Sequence, residues 1–90
     1  LQAEELGLIN HAIEPDDLMS QVMNIAGIIE KGPTLAMGRA KTLLRLSERS
    51  QLEEHLAAEQ HMISISGATE DFREGVEAFV EKREPKFTGD

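Results

Sequence analysis

The sequence predicts an all-α fold: about four amphipathic helices, preceded by a short stub of some other unit. In four successive segments, apolar residues recur at spacings of three and four, and residues that start and stop helices bracket each segment. The apolar set points the same way. Hydrophobic residues make up 40% of the 90, and only Phe72, Phe79 and Phe87 are aromatic. A core must therefore come from Leu, Ile, Val, Met and Ala, a mixture that suits helices packed on helices.

Leu1 to Leu6 resembles the last turns of a helix, with Gly7 as its left-handed stop. Leu8 to Ile13 is a short apolar segment, a strand or an extended connector. With it ends the stub, residues 1–13; residues 14–90 form the helical domain. Pro15 suits a first helical position, and Asp16 and Asp17 place negative charge in the first turn. Leu18, Val22, Ile25, Ala26 and Ile29 then mark a buried stripe. Met19, Met23 and Ile28 widen it, so this helix is expected to be covered on more than one side.

Lys31-Gly32-Pro33 stops that helix and starts the next, which carries Leu35, Ala36, Ala40, Leu43, Leu44 and Leu46. Ser50-Gln51-Leu52-Glu53 fits a capping box, in which Ser and Glu satisfy each other's backbone donors. The helix it opens runs through Leu52, Leu56, Met62, Ile63 and Ile65 to Gly67. Thr69 is an N-cap for the last helix, whose first turn holds Glu70 and Asp71 and whose end holds Lys82 and Arg83. Phe72, Val76, Phe79 and Val80 form its expected inward stripe. Pro85 ends it, and Lys86 to Asp90 reads as a tail.

Chemistry within the chain is sparse. There is no cysteine, which excludes disulfides, thiolate zinc sites and cysteine nucleophiles. His55 and His61 are six residues apart and diverge on a helix, so no metal site is expected. The acidic residues, among them Glu53, Glu54, Asp71, Glu74 and Glu77, read as caps or as a solvated face. No Gly-x-Ser-x-Gly elbow, P-loop or dinucleotide glycine pattern occurs. The net charge of −8 argues against nucleic acid as a partner. No apolar run approaches the roughly 20 residues needed to cross a bilayer. The chain starts without Met in what reads as mid-helix, and is expected to be a fragment.

Two stretches carry a family likeness. Ala3, Gly7, Leu8, Ile9, Asn10, Ala12 and Ile13, followed by the Pro15 helix start, make the first. The second is Thr69, Asp71, Glu74, Gly75, Ala78, Phe79, Glu81, Lys82, Arg83, Pro85, Phe87 and Gly89, in that spacing. Between them lie Gly32-Pro33 and Ala40-Lys41. Together they resemble the C-terminal region of the enoyl-CoA hydratase/isomerase (crotonase) family, across essentially the whole chain. The runner-up is a stand-alone acidic helical interaction module, which has no reason to share the closing motif.

The resemblance implies a helical C-terminal domain that covers the acyl-CoA pocket and mediates assembly, as a trimer or a dimer of trimers. It also implies that the oxyanion donors and acid/base carboxylates lie upstream, so this segment alone is expected to be inactive. The parent would be a hydratase first and an isomerase second; hydrolases and dehalogenases share these helices. A coenzyme A thioester is its substrate, and no cofactor is implied. Cytoplasmic location is the expectation, with a mitochondrial parent open.

By position, Phe79 and Lys82 are implied near the CoA-binding surface, and Ile63 as a lining of the acyl channel. Each has an ordinary alternative: core packing for Phe79 and Ile63, and complementing the helix dipole for Lys82. Lys82, Arg83 and Lys86 form the densest basic spot. Gly75, mid-helix, costs roughly 1 kcal/mol against Ala, and close packing against another element is the natural reason to keep it.

Overall fold

The computed structural model describes residues 2–90; Leu1 lies outside the described residues. Among the described residues five α-helices follow one another: α1 (Gln2–Glu5), α2 (Leu18–Glu30), α3 (Thr34–Ser47), α4 (Leu52–Ser66) and α5 (Glu70–Glu81). A 3-10 turn, Pro15–Asp17, leads into α2, so proline starts the helical course one turn before the α-helix proper. No strand occurs among the described residues: Leu8 to Asn10 bend, and the chain is irregular up to Glu14. Of the two expected forms, strand or extended connector, the segment takes the connector.

Gly7 does end α1 in the left-handed conformation, at φ 69°. The Leu8 amide bonds the Ala3 carbonyl and the Gly7 amide that of Glu4, both at 2.9 Å, the paired bonds of a Schellman motif. The cap before α4 departs from expectation by one residue. The Gln51 amide donates to the Glu54 carboxylate at 3.3 Å, while the Ser50 hydroxyl turns back to the Leu46 carbonyl at 2.6 Å. Ser50 closes α3 rather than opening α4. Thr69 caps α5 as expected, accepting from the Phe72 amide at 3.1 Å.

Only α3 and α4 run closely together along their backbones; α2 packs chiefly against its own 3-10 turn. The α3–α4 seam is small and mixes apolar with polar side chains. Ala36, Arg39 and Leu43 of α3 and His55, Ala58, Met62 and Ser66 of α4 are half-buried, and Met62 and Ser66 share a groove with the three α3 residues. Arg39 donates to the Ser66 hydroxyl at 2.9 Å across the seam, and that hydroxyl donates on to the Met62 carbonyl at 2.7 Å.

The larger apolar side chains point away from these contacts. Leu18, Val22, Ile25 and Ile29 of α2 all stand exposed, as do Leu52, Leu56 and Ile63 of α4. Among the described residues only Ala78 and Asp71 are fully buried. The solvent-accessible area is 7742 Å², against about 5,200 Å² for a closed monomer of this mass. The radius of gyration, 16.7 Å, exceeds the roughly 12 Å of a compact 90-residue domain. The helices form an open layer of 42 × 38 × 20 Å, not a closed bundle.

Candidate functional site

The last helix and the residues after it make the most elaborated part of the molecule. At the end of α5, Lys82 adopts the left-handed conformation, φ 55° and ψ 40°. It is the one non-glycine residue with positive φ among those described. The Lys82 amide bonds the Phe79 carbonyl at 3.3 Å and the Arg83 amide that of Ala78 at 3.0 Å. This is the Schellman pairing seen at Gly7, with lysine in the glycine position. Lys82 therefore acts through its backbone as a helix terminator, a role the charge-based reading of its side chain did not anticipate.

The left-handed turn sends the chain back along α5. Arg83 donates to both Glu74 oxygens, at 2.6 and 2.9 Å, and to Glu81 at 2.5 Å. The Lys86 amide donates to Glu74 at 2.7 Å. Further on, the Thr88 and Gly89 amides donate to the Asp71 carboxylate at 2.7 and 3.0 Å, and the Asp71 amide donates to the Asp90 carbonyl at 3.0 Å. Residues 83–90 thus lie as a strap on the face of α5 made by Asp71, Glu74, Gly75 and Ala78. Pro85, Phe87 and Gly89 are its half-buried positions.

Glu74 gains most from this arrangement. Two charge-assisted bonds from Arg83, then the Lys86 amide, hold its carboxyl at about 2, below the ordinary 4.5. The Arg83 guanidinium is raised further by Glu74 and Glu81. The expected basic spot is correspondingly weakened, since Arg83 is neutralised within its own helix and strap. Arg73 likewise pairs with Glu70.

The strap reverses the expected orientation of α5. Its covered face is Asp71/Glu74/Gly75/Ala78, and the expected inward stripe is outward: Phe72 is 51% exposed, Val76 48%, Phe79 85% and Val80 73%. Core packing therefore does not account for Phe79 in this chain, nor for Ile63, 63% exposed on α4. The tail's alternate Pro85, Phe87 and Gly89 was the available signal, because period-two burial marks an extended segment with one covered face. Asp71 and Glu74, which in the sequence fit a cap or a solvated face, instead bind amides that only the extended segment supplies.

The exposed face of α5 borders an open apolar groove of about 450 Å³. Pro33, Leu35 and Ala36 form its α3 side, Phe72, Val76 and Phe79 its α5 side, and Phe87 of the strap closes one part of the wall. Ile63 lies in a neighbouring groove of about 260 Å³ with Met62, Leu43 and Phe72. Phe79 and Ile63 thus face different grooves. Lys82 lines neither of them. No group of three or more His, Asp or Glu able to hold a metal ion occurs among the described residues, and no helix there is long and apolar enough to cross a membrane.

The model of the family described as enoyl-CoA hydratase/isomerase matches residues 1–90. The chain is 34% identical over 88 residues to 2,3-dehydroadipyl-CoA hydratase of Escherichia coli K12, covering 98% of this chain and 34% of that protein. It is 33% identical, with the same coverage, to 1,2-epoxyphenylacetyl-CoA isomerase of the same organism. The chain thus spans about a third of the length of these curated relatives. Among solved structures, subunit I of an enoyl-CoA hydratase from Geobacillus kaustophilus superposes with a TM-score of 0.92 at 35% identity, over 99% of this chain and 35% of that one. An enoyl-CoA hydratase/isomerase from Mycobacterium paratuberculosis gives 0.88 at 31% identity, over 99% and 35%.

Proposed function

The chain belongs to the enoyl-CoA hydratase/isomerase family, and we infer that it serves as the helical C-terminal segment of a longer acyl-CoA enzyme. In that role residues 14–90 cover the acyl-CoA pocket and join subunits into a trimer or a dimer of trimers, while residues 1–13 end the catalytic core. The segment supplies no acid/base carboxylate pair or oxyanion hole of its own. Hydration of an enoyl-CoA thioester is the parent's first assignment and isomerisation the second, in a cytoplasmic setting.

The observation that carries this reading is the uncovered apolar surface. The chain exposes roughly 2,500 Å² more than a closed monomer of its mass, comparable with a partner's share of a large obligate interface. Its helices keep the arrangement found in the complete enzymes, with a TM-score of 0.92, although they bury little against one another. Helix α2 has no charged residue from Leu18 to Ile29, and a helix apolar on most sides belongs inside a larger body. The stand-alone module would need its apolar faces turned inward, and they are not.

Sedimentation of the isolated 90 residues tests the assembly part. The chain is expected to self-associate through α2 and the outer face of α5. A clean, stable monomer at tens of micromolar would count against it.

A further inference from the structure

We propose that the strap, residues 83–90, is a brace that fixes the angle between α5 and the α3–α4 hairpin, and so sets the opening of the apolar groove between them.

Three observations converge on this. First, α5 does not run along α3 or α4; Gly67, Ala68 and Thr69 join it to α4 in a short turn, and Phe72 near its start reaches the α3–α4 groove. A helix joined mainly at one end can swing about that joint. Second, the strap is tied to α5 along most of its length, through Glu74 near the middle and Asp71 at the start. Asp71 is 4% exposed, so its bonds to the Thr88 and Gly89 amides are shielded from water. Third, the far end of the strap comes close to the other body. A Cβ built on Gly89 would lie 2.9 Å from the Thr34 hydroxyl oxygen at the first residue of α3, and Gly89 has φ 87°. Glycine is the residue that both the backbone conformation and this close approach require.

The strap therefore spans two elements that otherwise meet near one joint, with Asp71 holding it on one side, and Gly89 beside Thr34 and Phe87 across the groove from Pro33 and Leu35 on the other. The groove lies inside the angle so braced. Phe87 forms part of its wall, 3.5 Å from where a Cβ on Gly75 would stand. Asp71 and Gly89 are thus positioning residues, acting on the groove through the strap.

The test needs no ligand or turnover, so its failure is separate from any failure of the acyl-CoA reading. These 90 residues contain no cysteine. Spin labels can be placed at Lys41→Cys on α3 and Glu77→Cys on α5 in the intact protein, after replacing any cysteine outside this segment. The unmodified strap should give one narrow inter-label distance. Asp71→Ala removes the carboxylate that binds Thr88 and Gly89, and Gly89→Ala drives a methyl against the Thr34 hydroxyl at a φ that alanine resists. Each should broaden and shift that distance, with faster exchange of the Thr88 and Gly89 amides and unchanged helix content. A distance that stays narrow in both variants while those amides lose protection would overturn the proposal. Amides that stay protected in Asp71→Ala would overturn it too, by removing its anchor.

Discussion

The Arg83 guanidinium grips both oxygens of the Glu74 carboxylate, at 2.6 and 2.9 Å, from nine positions further along the chain. Arg83 can reach back because Lys82 turns left-handed, and Glu74 lies on the face of α5 along which the strap returns. The pair therefore helps to hold a backbone conformation that lysine adopts unwillingly. It also takes up the charge of Arg83 inside the molecule, whereas Lys82 forms no ion pair among the described residues.

Glu74 should titrate by NMR with a midpoint at about 2. Because its folded-state value is depressed, its contribution to strap closure is fully present above the ordinary 4.5 and is lost as pH falls through about 2. Arg83→Gln should bring the midpoint back up towards the ordinary value, stopping short of it because the Lys86 amide still donates. An unchanged midpoint in Arg83→Gln would show that the guanidinium is not the main cause.

Gly75→Ala should be tolerated and should raise the unfolding temperature. An added Cβ meets the Phe87 ring at 3.5 Å, an ordinary contact, and alanine favours the helix by about 1 kcal/mol. Crowding by Phe87 is thus not a reason for the glycine within this chain. A lower unfolding temperature in the intact protein would show that another part of it occupies the space above Gly75.

Lys82 can be divided between backbone and charge. Lys82→Gly relieves the left-handed turn and should stabilise by about 0.5–1 kcal/mol, set by the balance of αL strain against glycine entropy. Lys82→Ala keeps the strain. If the ammonium contacts the nucleotide end of CoA, both variants raise KM for acyl-CoA several-fold and leave kcat nearly unchanged, as lost uniform binding does. An unchanged KM at low salt, with the oligomer intact, would leave Lys82 only its helix-ending role.

Local signals were legible in the sequence. The stops at Gly7 and Gly32-Pro33, the Thr69 cap and the bounds of α2 to α5 follow from residues whose backbone preferences act within one turn. The cap before α4 was misplaced by one residue, because Ser50 and Gln51 both stand within reach of a following Glu and only geometry selects Gln51 with Glu54. The direction of each apolar face was not legible. Periodicity shows that Phe72, Val76 and Phe79 share a face, but whether that face meets this chain or another body depends on contacts beyond the segment. The site followed the same division: the closing motif was visible as a pattern, while the use of Asp71 and Glu74 to bind backbone amides emerged only with the path of the strap.

Crotonyl-CoA hydration, followed through loss of the conjugated thioester absorbance with the 90-residue chain and the intact protein side by side, tests most directly whether this segment lacks catalytic groups of its own. The intact protein should show saturable turnover, and the 90-residue chain nothing above the buffer rate. Saturable turnover by the chain alone, abolished by a single Glu substitution within it, would contradict this.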